Sequence, residues 1–506
     1  MSKFNKPIGI NESLKNRPDA TLNYEGGLAY VPSAKTKLVT MVATSLIGEN
    51  KFYTSGEKHD TELLSTIHSV IKDDPEFILK LAAYARNVLN MRSVSLVLLG
   101  EFANSQAVGT IQNARKYVEK TIRRADEIPE LLAYQLGRNR WAPREGNKIP
   151  MMLKNGVARA FNNFDGYQFA KYNRDGLVTI RDALFLTHPR PKTPEQQKLF
   201  DQIVEDSLPI PETWETYIST NGSNTETWSH IAPKLPIFAL VRNLRNLLKF
   251  DVDTDLYINK LTTPKVIHNS RMFPFRFFSA YQTIQEDTTS SMKQRKVLDA
   301  LEEAMDISVD NITHIPGDTA IFCDLSGSMS FTRISQNSTI YPLDIASLFG
   351  AIADKICDNS IIGVFGATFD TVSVSKKLPI LAKMEQIKNK NVGHSTNAYL
   401  AIQWLKDQGI KVDRILIFSD MQTYDSYGWG NQRSVQAEIT KYRRQVNQNT
   451  FLHTIDLTGY GTVLMPEDDP KTNIITGWSE KILDYINMFE EGIGTMTKKI
   501  DNYEVV

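Results

Sequence analysis

The apolar pattern of this chain changes character once, at Ile315-Pro316-Gly317. From Lys51 to about Asp306 the apolar residues recur mostly at helical spacing, with no convincing series of strands. After the switch, short runs rich in strand formers alternate with amphipathic helices. DTAIFCD precedes LDIASLFGAIADKICD, and SIIGVFGATFD precedes NAYLAIQWLKDQG, a helix ending at Gly409. VDRILIFSD precedes SVQAEITKYRRQVNQ, and TFLHTIDLT precedes SEKILDYINMF. Such alternation specifies a parallel sheet with helices on both faces. The 506 residues therefore read as a multidomain chain, α followed by α/β. The first 40 or so residues are polar and rich in Asn, Gly and Pro, and read as an extended arm. The domains are drawn as an arm at 1–20, a helical domain at 21–314 and an α/β domain at 315–506.

Within the helical part, Asp60 reads as the cap of DTELLSTIHSVIKDD, and Asp74-Pro75 stops that helix. EFILKLAAYARNVLN follows, then SVSLVLLGEFANS, whose first turns are apolar all round and so buried. Further helices read at 109–124, 150–163, 177–187, 194–206, 233–249 and 274–306, separated by breakers including Pro129, Pro143, Pro189, Pro191, Pro211 and Pro233. Short helices with short breaks suggest stacked antiparallel pairs, as in HEAT-like solenoids with a repeat of ~40 residues. No sequence repeat supports this, so it rests on element order.

No stretch approaches the ~18 consecutive apolar residues of a membrane span. MSKFNKPIGINESLKNRPD lacks the apolar core of a secretory signal. The two cysteines, Cys323 and Cys357, form no CxxC pattern, and a reducing, cytoplasmic location is expected. Net charge is zero, but residues 81–192 hold 18 Lys and Arg against 9 Asp and Glu, while 316–506 hold 18 against 22. A basic N-terminal part can present a face to a polyanion, or can simply be a solvated helical surface. Charge alone leaves both open.

The loop CDLSGSMS follows the first strand of the α/β part directly. Its D-x-S-x-S spacing turns Asp324, Ser326 and Ser328 to one side, and Gly327 allows dihedrals the turn needs. Asp420 ends RILIFSD, and Thr396 in GHSTNAY opens a helix on the same edge. Two carboxylates with three hydroxyls suit a hard cation that keeps several waters: Mg²⁺, or alternatively Mn²⁺. The bland alternatives are an Asx or Ser turn and a helix cap. D-x-S-x-S, a distant Thr and a strand-terminal Asp resemble the metal-ion-dependent adhesion site (MIDAS) of von Willebrand factor A domains. That resemblance implies a divalent metal at these five positions, with one coordination position left for an acidic partner.

Enzyme readings are weak. Ser326 lacks the G-x-S-x-G elbow, and the chain has neither a P-loop nor an HExxH motif. The eight histidines, including His394, show no ligand spacing. Cys323 on its strand and Cys357 at a helix end read as buried and inert.

Three segments of the helical part carry a second resemblance. MMLKNGVARAFNNFDGYQFAKYNRDGLVTIRDALFLTHPRP, LPIFALVRNLRNLLKF and SRMFPFRFFSAY resemble, in order, the TROVE domain of the Ro autoantigen family, across roughly residues 20 to 310. The resemblance implies a ring of HEAT-like helical pairs closed by the A domain. It implies a non-catalytic scaffold that binds small noncoding Y RNAs and single-stranded ends of misfolded RNA. It also implies work in RNA quality control beside an exoribonuclease such as polynucleotide phosphorylase. The chain departs from the animal pattern at Ile180, where a histidine would align, and in a shortened spacing around Gly176.

RNA binding needs cations for phosphates and aromatic or guanidinium planes for unpaired bases. Lys154, Arg159, Lys171, Arg174, Arg181 and His188 supply cations, with Tyr167 and Tyr172 nearby. Arg242 and Arg245 share a helical face, and Arg271 and Arg276 bracket Phe273 and Phe275. The competing role for each arginine is a surface salt bridge, and for the PFRFF aromatics core packing. Three functions compete: an RNA-binding scaffold, a metal-dependent protein-adhesion module without RNA function, and a nuclease. No acid cluster or histidine pair in the helical part supports the nuclease.

Overall fold

The computed structural model describes residues 17–44, 56–141, 149–286, 291–331, 333–334, 338–427, 433–477, 480–492 and 495–505. The helical start at Lys51, the breaker Pro143 and the first sixteen residues of the arm lie outside the described residues. The described residues of Met1–His59 and Asn224–Met496 pack as one compact unit, and those of Asp60–Ser223 and Thr497–Val506 as another. The packing units thus interleave along the chain, whereas boundaries read from sequence at 20 and 314 follow it in order. Periodicity reports which face of an element is buried, but not which distant element buries it.

The unit spanning 60–223 is helical. Pro75–Asn87 packs on Ser93–Ala103 and on Ala114–Thr121, which in turn packs on Met151–Ala160. Ser93–Ala103 is buried from Val94 onward, as its apolar run predicts. Asp74 is the N-cap of Pro75–Asn87, its Oδ1 accepting the Phe77 N–H at 3.2 Å, with Pro75 in the first turn where no N–H is needed. Two readings are corrected here. Asp60 lies in the second turn of Gly56–Asp73 and is not its cap. Pro129 breaks nothing: it sits in the first turn of Glu127–Trp141, where an amide N–H has no intrahelical partner. The C-terminal residues join this unit. Lys80 Nζ donates to the Asp501 carbonyl at 2.8 Å, and the Tyr503 ring meets Tyr84 edge-on at 5.2 Å.

In the other unit, the stretch read as one helix at 274–306 is two: Pro274–Gln285 and Met292–Ser308, the second capped by Ser291. Ile237–Lys249 packs on the first of these. The arm is not merely extended. β1 (Ala20–Leu22) and β2 (Leu28–Tyr30) form an antiparallel hairpin, and Ala34–Ala43 is a helix capped by Ser33. Tyr30 exchanges backbone hydrogen bonds with Val463, at 2.9 and 3.1 Å.

The six strands of the α/β part are β3 (Ile315–Asp324), β4 (Cys357–Phe365), β5 (Phe369–Val372), β6 (Arg414–Ser419), β7 (Phe451–Asp456) and β8 (Thr472–Thr476). Their order is β5-β4-β3-β6-β7-β8, parallel except for β5, which runs antiparallel to β4 at the edge. The expected parallel sheet is therefore mixed, because three residues between β4 and β5 allow only a hairpin, not a crossover. Cys357 opens β4 directly at the end of Pro342–Ile356. Phe322, Ile415 and Ile417 pack with Ile402, Leu405, Ile439 and Tyr442 on one face. On the other, Phe349 meets Phe418 at 5.8 Å, and Gly350 lies so close that a Cβ there would sit 2.6 Å from Cys323 Sγ. Among the described residues no helix is long and apolar enough to cross a membrane.

Candidate functional site

The strand order creates the crevice. After β3 the chain proceeds through β4 to β5 on one side. After β6 it proceeds through β7 to β8 on the other. The loops leaving β3 and β6 therefore diverge, and a ligand fits between them beyond the carboxyl ends. β3 ends in Asp324, and β6 is followed by Asp420.

Both carboxylates are fully buried. Asp324 Oδ1 accepts the Ser326 N–H at 2.8 Å, and its Oδ2 accepts the Ser419 hydroxyl at 2.5 Å. Ser326 is buried, Ser328 is half-buried, and their hydroxyl oxygens lie 3.4 Å apart. Asp420 Oδ1 accepts the Gln422 N–H at 3.0 Å, while its Oδ2 is buried without a hydrogen-bond partner. Burial drives the Asp324 carboxyl above the usual range. Burial and then the Asp324 charge drive Asp420 up further, against the Ser328 hydroxyl and the Gln422 N–H. Two buried acids that resist sharing negative charge are the environment that a divalent cation relieves. Among the described residues no three His, Cys, Asp or Glu side chains converge, so such an ion would depend on the hydroxyls as well.

Thr396 is buried, and its loop lies against the first one: the His394 carbonyl accepts the Gly327 N–H at 3.0 Å, and the Thr396 carbonyl accepts the Tyr424 N–H at 3.0 Å. The role expected of Gly327 is corrected. Its φ is not positive, and a Cβ would stand 3.1 Å from the edge of the largely exposed Phe331 ring, so neither dihedral nor space demands a glycine there. The unusual dihedral belongs to Met421, buried at φ 63° immediately after Asp420. Ser419 and Gln422 were not singled out from sequence, although both lie within two residues of Asp420. Cys323 is buried and its thiol pushed far up by burial; Cys357 is buried and pushed up to about 11.

The basic candidates fall into two groups. In the 60–223 unit, Lys154 is half-buried, Arg159 is exposed with Glu119 at 3.9 Å, and Arg174, Arg181 and His188 are exposed. Lys171 Nζ lies 6.0 Å from the Tyr167 ring centre and 5.8 Å from that of Tyr172. Arg124, which sequence reading passed over, stacks 4.5 Å from the Tyr172 ring while donating to Asp126 at 3.1 and 2.8 Å. Arg181 lies 6.0 Å from the ring of Phe185, itself 50% exposed on the same helix. His188 ends that helix in a left-handed conformation, its N–H bonded to the Leu184 carbonyl at 2.9 Å.

In the other unit, Arg242 and Arg245 are exposed on one helix, opposite buried Leu240, Leu244 and Leu247. Arg271 and Arg276 are exposed, while Phe273 and Phe275 are half-buried and Phe277 and Phe278 fully buried. The FF pair is core.

Comparison with known proteins accords with this architecture. The TROVE domain model matches residues 28–207 and 206–301, and the Ro60 vWA domain model matches 319–490. Neither is a catalytic family. The RNA-binding protein RO60 of Deinococcus radiodurans is 20% identical over 488 residues, covering 86% of this chain and 88% of that protein. Telomerase protein component 1 of Mus musculus is 22% identical over 335 residues, half of this chain; the chain spans only 13% of that protein's length. The crystal structure of the Deinococcus radiodurans RO (RSR) protein superposes with a TM-score of 0.65 at 17% identity, covering 91% of this chain and all of that one.

Proposed function

The chain belongs to the TROVE-domain family, and from that premise we propose that it is a non-catalytic RNA-binding protein with a divalent metal centre in its A domain. The observation that carries the RNA reading is the cation–aromatic surface of residues 124–188 within the TROVE match, where Tyr167, Arg181 and Phe185 are exposed and Arg124, Lys171 and Tyr172 half-buried. Tyr167, Tyr172 and Phe185 offer ring faces beside Lys171, Arg124 and Arg181. Ring and guanidinium planes stack on unpaired bases, and the surrounding cations take phosphates. The ligands are small structured RNA of the Y type and single-stranded ends of misfolded RNA. The setting is cytoplasmic RNA quality control beside an exoribonuclease such as polynucleotide phosphorylase. The arginines of the other unit, Arg242, Arg245, Arg271 and Arg276, are the second set of contacts. Filter binding of a structured small RNA and of an unstructured oligonucleotide, each across a salt series, tests the reading. Failure to bind either RNA at low salt removes it.

The metal part of the proposal rests on the partnerless Oδ2 of buried Asp420. Asp324 and Asp420, with the hydroxyls of Ser326, Ser328 and Thr396, would hold Mg²⁺ or Mn²⁺, whose charge offsets the two acids. An ion held there would attract a carboxylate of a protein partner, which would make adhesion an added role of the A domain beside RNA binding. Calorimetry with Mg²⁺ and Mn²⁺ on the whole chain decides whether the ion binds.

A further inference from the structure

The loop that follows Asp420 is gripped from almost four hundred residues away. Asn23 folds the β1–β2 hairpin: its Oδ1 accepts the N–H groups of Glu25 at 3.1 Å and Gly27 at 2.9 Å. The same side chain, 7% exposed, turns its Nδ2 to the A domain, donating to the Thr423 carbonyl at 2.7 Å and the Met421 carbonyl at 3.4 Å. The next residue, Tyr24, donates its N–H to Gln422 Oε1 at 2.8 Å, and Gln422 donates its own N–H to Asp420 Oδ1 at 3.0 Å. Gly27 makes the contact possible: a Cβ there would lie 2.0 Å from the Thr423 carbonyl oxygen, a backbone atom that cannot step aside. The segment gripped in this way contains Met421, whose positive φ is disfavoured for a long side chain and persists only where surrounding contacts impose it.

We infer that the N-terminal hairpin is a working part of the metal centre, with Asn23 and Gln422 as positioning residues that aim the Asp420 carboxylate. The inference rests on the proposed metal reading. Without the hairpin, Met421 relaxes toward an ordinary conformation. Asp420 then samples orientations that leave the ion with one fixed carboxylate instead of two.

The test uses the full chain and four variants. Asn23→Ala and Gly27→Ala remove or block the grip. Asn23→Asp keeps the acceptor that folds the hairpin but sets an oxygen against two carbonyls, so it loosens the grip with less risk to folding. Val31→Ala, at an exposed position just beyond β2, is the control. Mn²⁺ affinity by calorimetry, amide exchange at 421–424 in metal-free protein, and melting temperature are measured together. The expected result is a tenfold or greater loss of Mn²⁺ affinity and faster exchange at 421–424 in the three hairpin variants, with neither change in Val31→Ala. Lower melting temperature with Mn²⁺ affinity intact gives the hairpin a purely structural role and overturns the inference, as does unchanged exchange. A wild-type chain that binds no Mn²⁺ overturns the metal reading instead. Exchange at 421–424 still reports then whether the hairpin holds the loop.

Discussion

The Ser419 hydroxyl donates to Asp324 Oδ2 at 2.5 Å, tying the carboxyl ends of two adjacent parallel strands. Cys323 pairs with Phe418 in the register, so Asp324 and Ser419 stand side by side and Asp420 follows one residue later. The two acids are neighbours because the sheet makes them so, and the cost of burying both falls on the metal-free protein.

Asp420→Asn should therefore raise metal-free stability while removing metal binding. The amide keeps the shape but not the charge that Asp324 opposes. Gains at such sites are on the order of 1 kcal/mol, a few degrees in the melting temperature of the A domain. Wild type should gain melting temperature on adding Mg²⁺, and the variant should not. Differential scanning calorimetry with and without Mg²⁺ checks both halves. A variant no more stable than wild type, or one still stabilised by Mg²⁺, contradicts the assignment.

On the helical side, RNA affinity should fall steeply with salt because released counterions drive much of it. Arg174 and Arg181 are exposed, and if each meets one phosphate the double variant to Ala should flatten the log–log salt slope by about 1.4–1.8 in all. Affinity should drop with it, and circular dichroism should not change. Filter binding from low to moderate salt reads the slope, and parallel lines for wild type and variant would remove these two residues from the interface.

A pH effect belongs to a different part of the A domain. His453 is fully buried; its Nε2 faces Glu490 at 2.9 Å, and its Nδ1 faces Asn473 Nδ2 at 3.3 Å. Burial pushes the imidazole below its usual value more than Glu490 pulls it up, since Glu490 is also claimed by Arg414 through bonds of 2.7 Å. With the folded value below the unfolded one, the unfolded chain takes up a proton first as pH falls. Stability is then full above about pH 6.5 and declines below it, by at most about 1.4 kcal/mol per pH unit. The Glu490 carboxyl, held low although burial opposes it, by Arg414 and His453, adds a loss of the same sign at more acidic pH. His453→Gln should flatten the decline between about pH 6.5 and 5 in A-domain melting curves. An equally steep decline in the variant would mean that His453 is not its source.

How far the residues alone disclosed the molecule depends on the range of the interactions. Local chemistry was legible: Asp74-Pro75 ends one helix and caps the next, and the strands and helices read after Pro316 are present, although β5, β8 and the helix Ile380–Lys388 were not read. D-x-S-x-S marked Asp324, Ser326 and Ser328 because the motif lies within five residues of a strand end. Asp420 and Thr396 needed the sheet to bring them to the same edge. Asn23 before Gly26-Gly27 is a local turn signal, but nothing local marks its second role, since both of its Nδ2 acceptors lie about four hundred residues away. Phe185 lies off the buried face of its helix, five residues after Ile180 and two after Ala183, so its half-exposed ring follows the helical period, but only the structure sets it beside Arg181. The hairpin and the helix at Ala34–Ala43 were missed because their short apolar runs, among them Ala29, Tyr30, Leu38, Val39 and Val42, are buried against partners far along the chain such as Val463 and not against neighbours in sequence.

The metal centre and the RNA surface should be separable. Asp324 and Asp420 sit in a domain with 22 acidic against 18 basic residues over 316–506, whereas 81–192 hold 18 basic against 9 acidic. One Mg²⁺ offsets only the two nearest carboxylates, so the field at the metal edge should not draw a polyanion strongly. Removing Asp324 should abolish ion binding, because Asp420 would be left as the only carboxylate. It should also leave RNA affinity within about twofold, as the phosphate contacts that carry it are elsewhere. RNA itself needs Mg²⁺ to fold, so chelation cannot make the comparison. Wild type and Asp324→Ala are compared at constant Mg²⁺, with circular dichroism to confirm the fold. Equal RNA affinity together with loss of a carboxylate-bearing protein partner in pull-down is the expected outcome. A tenfold drop in RNA affinity with the fold intact would place the metal edge within the RNA site, and the two roles would then be one.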